Sequence, residues 1–146
     1  MGHRRKAREV AMQVLYQIDV SQVDTEEAIV LFWKNFEVPE SAAEFASVLI
    51  RGTRDHLDEI DDHIKDCSEH WSLERMARVD KNILRMAVYE LLYCKDIPPK
   101  ATLNEAIDLG KEFGSENSGS FINGILDAIY SKLRIDINET EVADTE

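Results

Sequence analysis

The sequence has little of what turn-rich or disulfide-rich folds require. Only six Gly and three Pro occur in 146 residues, which argues against a sandwich or barrel built on many tight turns. The two cysteines, Cys67 and Cys94, cannot form a disulfide framework and lack the paired CxxC spacing of a zinc site. Free thiols are typical of a reducing compartment, so we expect a cytoplasmic protein.

Long apolar runs are missing as well. No stretch approaches the roughly 18 apolar residues that a membrane span needs. The polar residues Glu9, Gln13 and Asp19 interrupt the segment in which a signal peptide would have its apolar core. With 44% hydrophobic and 32% charged residues, the composition is that of a globular domain, and we expect neither a membrane span nor a signal peptide.

Motifs of catalysis and cofactor binding are absent from the sequence. It contains no GxGxxG, no GxxxxGK[ST] and no GxSxG. The acidic pairs at 58–59 and 61–62 are expected on the solvated side of a helix. His63, Cys67 and His70 share a helical face, but one helix rarely supplies a closed metal site. We therefore expect no enzyme, no cofactor and no metal.

What the sequence does have is helical periodicity along most of its length. Apolar residues recur at i, i+3, i+4 and i+7, beginning with the stripe from Ala7 to Ile18. About seven such stripes predict an all-α fold for residues 1–135. Five acids and no base predict a disordered tail for 136–146. Candidate helix starts are Asp24, Ser41, Asp80, Thr102 and either Ser118 or Ser120, and Gly114 is a candidate helix end.

The charge is divided unevenly along the chain. The net charge is −12, yet residues 1–8 hold four basic residues and no acid. Arginine forks bind phosphate in a bidentate manner, and tyrosine can stack on an unpaired base. We expect Arg5, Arg8, Met12 and Tyr16 to lie away from the apolar stripe, and the side chains of Arg4, Arg5 and Arg8 to bury little. The basic tip predicts nucleic-acid binding confined to that end, with improved solubility as the alternative.

Two groups of residues resemble the NusB family of bacterial transcription antitermination factors. The first is the opening segment 4–16, which contains the basic tip. The second is more specific and comprises, in order, residues 71–75, 79–81, 83–85, 89–91, 97–98, 104–106 and 121–127. The segment 4–16 and the stretch 71–127 that contains the others span about half of the chain, whereas residues 20–70 match only as generic helices.

The resemblance implies a single domain of two small packed helical bundles. It also implies binding to boxA-type single-stranded RNA together with the small-subunit ribosomal protein NusE, in an RNA polymerase antitermination complex that supports ribosomal RNA transcription. The RNA contacts that it implies are Arg4, Arg5, Lys6, Arg8, Tyr16, Lys111, Ser118 and Phe121. The residues that it implies near NusE are Asp80, Arg85, Tyr89 and Glu90.

Several alternatives stay open at this point. Phe121 also fits the core, Asp80 also fits a helix cap, and Glu90 also fits an internal ion pair. Family members often have a lysine where this chain has Ser120, which removes one phosphate contact. A purely protein-binding helical scaffold is the alternative function, and a homodimer is neither required nor excluded. A similar module begins some RNA cytosine methyltransferases, but 146 residues leave no room for their catalytic domain.

Overall fold

A computed structural model describes residues 3–144 of the chain, with side-chain placement described through Arg134. This range is organised as seven α-helices and one short 3-10 turn, without a β-strand. The helices are α1 (His3–Ser21), α2 (Thr25–Asn35), α3 (Glu40–Asp55), α4 (Leu57–Cys67), α5 (Arg78–Tyr93), α6 (Pro99–Phe113) and α7 (Ser118–Asp144). The prediction of an all-α fold with about seven helices is confirmed.

The first bundle is built around α1. Its stripe of small and branched apolar residues, from Ala7 to Ile18, is fully buried. Helices α2, α3 and α5 all pack on α1, so that its buried surface is wider than a single stripe. Small residues such as Ala42 and Ala46 on α3 allow close approach of the two helix backbones.

The second bundle consists of α4, α5, α6 and α7. Helix α6 packs mainly on α5 and α7, and α4 closes the other side of α5 and α7. Ile83, Leu84 and Val88 on α5 and Ile122 and Leu126 on α7 have no more than trace exposure. Helix α5 contacts both bundles, so one continuous hydrophobic core runs through the described part of the chain.

Two of the predicted helix boundaries are correct. The Asp24 carboxylate accepts hydrogen bonds from the backbone N–H groups of Glu26 and Glu27 at the start of α2. At the other end of a helix, Gly114 follows the last residue of α6, and its N–H donates to the carbonyl of Gly110. These residues satisfy backbone groups that a helix end leaves without a partner.

Three predicted helix starts are wrong. Helix α3 begins at Glu40 after Pro39, and α6 begins at Pro99 after Pro98, so Ser41 and Thr102 lie inside the helices. Proline fits the first helical turn because its fixed φ is helical and its missing N–H would be unpaired there. Asp80 lies in the first turn of α5, whose cap residue is Ala77.

The last helix is longer than the sequence analysis predicted. It begins at Ser118, one of the two residues expected, but continues to Asp144 through most of the segment for which a disordered tail was expected. No Gly or Pro follows Gly124, so no residue of that segment interrupts a helix. No helix of the described range combines the length and apolarity needed to cross a membrane.

Candidate nucleic-acid interface

The exposed basic residues of the N-terminus occupy the first two turns of α1. Arg5 binds α6 through two carboxylates, with Nε 3.1 Å from Glu105 Oε2 and Nη2 2.9 Å from Asp108 Oδ2. Arg4 reaches Asp96, between α5 and α6, at 3.4 Å. All of these pairs are solvent-accessible. Exposed pairs of this kind contribute little to stability because solvent screens them, so an incoming phosphate can compete for the guanidinium groups.

The fourth basic residue, Arg8, lies in a different environment. Its guanidinium is buried and holds Glu90 of α5 in a two-pronged ion pair, with Nη2 2.7 Å from Oε1 and Nε 2.9 Å from Oε2. Met12 is buried too. The expectation that these two residues lie away from the core is wrong, because three helices surround α1. Arg8 therefore holds α1 against α5 rather than presenting its charge to solvent.

Tyr16 continues the exposed face of α1. It is 38% exposed and follows Arg5 by eleven residues, which is about three turns or roughly 16 Å along one side of the helix. A cation and an exposed aromatic ring thus share one helix face. This spacing suits a strand whose phosphates and bases are contacted in turn.

Lys111 lies on α6, the helix that Arg5 contacts, and packs against the start of α7. Lys111 is exposed and comes one turn after Asp108, the α6 partner of Arg5. Its stem packs on Gly119, since a Cβ there would lie 3.1 Å from Lys111 Cγ. Ser118 is buried, and its hydroxyl accepts from the N–H of Ser115 at 2.8 Å. Ser118 therefore shapes the turn before α7.

An aromatic pair follows at the next turn of α7. Phe121 is partly buried and meets Trp71 edge to face, with ring centroids 6.3 Å apart and 86° between the planes. Trp71 is 52% exposed and lies beyond the end of α4. Trp71 and Phe121 line a cleft, and Arg75 and Asp80 line it as well. Trp71 and Arg75 were not predicted as site residues from the sequence. The signal that could have identified them is an aromatic and a cationic residue in a segment between two helices.

The residues expected at a protein partner are mostly internal. Glu90 is buried against Arg8 and also accepts from the Thr102 hydroxyl at 3.2 Å, which confirms the alternative reading of Glu90 as an internal ion-pair partner. Arg85 is buried as well, and binds Asp61 of α4 with a bidentate geometry of 2.9 and 3.0 Å. The solvated position expected for Asp61 is therefore wrong. Asp80 is buried, and its Oδ1 has no hydrogen-bond partner among the described residues.

Tyr89 differs from the other three because it is partly exposed. Its ring fits against Gly52 and stacks with Tyr93 at 5.4 Å. Tyr93 in turn stacks on His56 at 4.2 Å and donates from its hydroxyl to Glu59 at 2.5 Å. The exposed part of this region is thus an aromatic row at the junction of α3, α4 and α5.

A second internal charge cluster fixes the end of α1. Asp19 accepts from Lys81 at 2.9 Å and lies 4.0 Å from Arg85. Burial favours the neutral form of Asp19, but the hydrogen bond and charge of Lys81 outweigh it and lower the pKa of the carboxyl. The cluster ties α1 to α5 at the end opposite the Arg8–Glu90 pair.

The conceivable metal set does not form in the structure. Helix α4 ends at Cys67, so His70 no longer shares the helical face of His63. Among the described residues, no group of three His, Cys, Asp or Glu side chains is placed to hold a metal ion. Desolvation raises the pKa of the Cys67 thiol and, together with Glu90, raises that of Cys94 to about 11, which disfavours the thiolate that metals bind.

Fold and site together define a small all-α binding domain with a mixed cationic and aromatic surface. The NusB family model matches residues 5–131. The chain belongs to the NusB family.

Individual relatives cover nearly the whole chain. The transcription antitermination protein NusB of Syntrophus aciditrophicus is 57% identical over 143 residues, spanning 98% of this chain and 89% of the relative. A structure of Thermotoga maritima (T. maritima) NusB superposes with a TM-score of 0.79 at 40% identity, covering 88% and 90% of the two chains. A chain from the crystal structure of antitermination factors NusB and NusE in complex with dsRNA gives 0.79 at 34% identity, covering 90% and 98%.

Proposed function

We propose that the protein is an antitermination factor that binds boxA-type single-stranded RNA together with ribosomal protein NusE. It would act in the cytoplasm as a binding component of the RNA polymerase antitermination complex, without catalysis, and support ribosomal RNA transcription. The observation that carries this proposal is the set of groups along α1, α6 and α7 that can meet RNA. Arg5 pairs with carboxylates of α6, Lys111 of α6 packs on Gly119, and Phe121 meets the exposed Trp71 one turn into α7. The structure of NusB and NusE in complex with dsRNA, whose chain resembles this one at 34% identity, supports NusE and RNA as partners; the single-stranded form of the RNA is part of the proposal.

Cationic residues contact the RNA phosphates, and aromatic residues contact the bases. Arg4, Arg5 and Lys6 contact phosphates, and Lys111 continues the cationic line on α6. Phosphate replaces the carboxylates of Asp96, Glu105 and Asp108, which are held only by exposed pairs. Tyr16 and Phe121, with Trp71 beside it, offer ring faces and edges to unpaired bases. Arg8 and Ser118 act indirectly, by fixing the helices that carry these groups.

The partner-binding side is formed around Tyr89. Asp80, Arg85 and Glu90 are buried, so their contribution to NusE binding is to hold α5 in position, whereas Tyr89 and its stacked neighbour Tyr93 provide the contact. The body of the protein beyond residue 8 carries a net charge of −16. A basic ribosomal protein would be attracted to this body and would extend the cationic surface that the RNA meets.

The test is RNA binding by the double variant Arg4→Ala/Arg5→Ala. We expect the parent protein to bind a boxA-type RNA with an affinity that falls as salt rises. Each phosphate contact on a single strand contributes about −0.7 to the slope of log affinity against log salt. The double variant loses two such contacts, so its slope should be shallower than that of the parent by about 1.4. Fluorescence anisotropy with labelled RNA measures both the slope and the affinity.

The matched control is Lys132→Gln, which removes an exposed cation from α7. It should bind RNA as the parent does, and thermal unfolding should show that all three proteins are folded. RNA binding that is unchanged in the double variant, or independent of salt, would remove the basic tip from the mechanism. Retained NusE binding without any RNA binding would favour the protein-binding scaffold.

A further inference from the structure

A second cleft lies beside the basic residues at the start of α1. Lys6 is the one residue that it shares with the proposed RNA-binding surface. The turn between α2 and α3 forms it against the start of α1, and its volume is about 580 Å³. Clefts of several hundred Å³ accommodate ligands of nucleotide size. Its principal lining residues are Lys6, Trp33, Lys34, Phe36, Glu37 and Pro39.

The cleft carries two lysines whose positive charge is little compensated by ion pairs. The three arginines of the tip each face at least one carboxylate. Lys6 has only Glu9 of its own helix, with Nζ 3.9 Å from Oε2. Lys34 forms no ion pair with any carboxylate whose side chain the structure describes. Two lysines therefore face a cleft in which Glu37 is the opposing charge.

The same cleft presents an aromatic ring that is held in place. Phe36 is 58% exposed and stacks on Phe32, with centroids 4.6 Å apart and 26° between the planes. Trp33 braces Phe32 from another direction, edge to face at 6.0 Å. A ring fixed in this way loses little side-chain entropy when a base stacks on it, since its rotamer is already restricted.

We propose that this cleft binds a nucleotide of the RNA strand that flanks the segment held by the Arg5–Tyr16 face of α1. The base stacks on Phe36, and the phosphate meets Lys6 and Lys34. The inference rests on the proposed RNA-binding function and extends it to a second contact region. An aromatic ring beside two lysines favours a nucleotide over an acidic peptide, which would use the charges but not the ring.

The experiment compares three labelled RNAs: a boxA-type core, and the same core extended by a few nucleotides on its 5′ or its 3′ side. Each is titrated with the full-length parent, Lys34→Gln, Phe36→Ala and the control Lys132→Gln. We expect one extended RNA to bind the parent and the control about tenfold more tightly than the core. Lys34→Gln and Phe36→Ala should lose this gain and keep the parent's affinity for the core.

A second readout separates a phosphate contact from a general change in the protein. On the extended RNA, Lys34→Gln should make the salt slope shallower by about 0.7, and on the core RNA it should leave the slope unchanged. Both replaced residues are exposed, so both variants should fold. Lys34→Gln should keep the thermal midpoint of the parent, and Phe36→Ala should lower it only by the loss of the stack on Phe32.

The outcomes distinguish this inference from the proposed function. Failure of the core RNA to bind would contradict the proposed function itself. Normal core binding with no gain from either extension, or a gain that both variants retain, would overturn the inference alone. Lys34-dependent binding of a glutamate-rich peptide, with no gain from either extension, would identify an acidic protein segment as the ligand and overturn it as well.

Discussion

Arg8 of α1 and Glu90 of α5 form an ion pair that is closed to water, with 5% and 1% of their side chains exposed. The Thr102 hydroxyl donates to the same carboxylate, so this one group joins α1, α5 and α6. The arrangement separates Arg8 from its neighbours in the basic tip. Arg4 and Arg5 meet solvent, whereas Arg8 determines where the helix that carries them is placed.

Removal of Arg8 alone should destabilise the protein strongly. Breaking a buried ion pair from one side costs about 3–5 kcal/mol, because the remaining charge stays buried without a partner. Arg8→Ala should therefore lower the free energy of unfolding by this amount in urea titrations. Arg4→Ala should change it by less than about 1 kcal/mol.

The double variant Arg8→Met/Glu90→Leu provides the control for this prediction. It removes both charges and keeps apolar volume, so it should recover most of the stability lost in Arg8→Ala. Equal stability of Arg8→Ala and the parent would show that the guanidinium is not buried against Glu90.

Gly52 should not tolerate a larger residue. A Cβ at this position would lie 2.0–2.4 Å from atoms of the Tyr89 ring, and overpacking of this kind costs about 1–3 kcal/mol or more. Gly52→Ala should lower the thermal midpoint and disturb the aromatic row of Tyr89 and Tyr93. Gly124→Ala is the matched helical control, because nothing lies within 4 Å of its Cβ, and it should be neutral or stabilising by up to about 1 kcal/mol.

Acid should weaken the attachment of α1 to α5. The pKa of Asp19 is lowered in the folded protein, so its contribution to stability is present above its unfolded pKa and is lost as the pH falls through the folded value. Asp19→Asn should therefore be less stable than the parent at neutral pH, and the difference should shrink in acid. Urea titrations across the acidic range measure this, and a difference that does not change with pH would contradict the assignment.

Cys94 should be unreactive in the native protein. Burial, together with Glu90, raises the pKa of its thiol to about 11, so only a very small fraction is thiolate at pH 8. Iodoacetamide should label Cys94 slowly in the folded protein and rapidly in urea, as followed by mass spectrometry. The same raised pKa predicts that stability declines between about pH 9 and pH 11. Rapid native labelling at pH 8 would show that Cys94 is accessible.

Periodicity alone predicted the helices well, because each stripe reports burial on one face. Periodicity did not predict burial correctly where several helices pack around the same residue. Arg8 and Met12 were expected at the surface, but α1 is covered by three helices. Asp61 was expected in solvent, yet Arg85, 24 residues away, pairs with it. Such partners follow from tertiary packing and are not readable from local spacing.

The site was predicted in outline rather than in detail. The basic tip is visible in the sequence as charge without acids, and the structure places Arg4, Arg5 and Lys6 at the surface. The exposure of Trp71 and the cleft at Lys34 depend on where α4 ends and how α2 turns into α3. Neither the end of α4 nor the path of the turn between α2 and α3 is marked in the apolar periodicity of the sequence.

The central claim is that the protein binds RNA and a ribosomal partner together, each on its own surface, and mutual titration tests it most directly. A boxA-type RNA is titrated with and without saturating NusE, and NusE is titrated with and without saturating RNA. Each ligand should raise the affinity of the protein for the other by the same factor, about 5-fold to 150-fold, because coupling between two binding sites is reciprocal. Competition between the two, or binding of each that is independent of the other, would contradict the account.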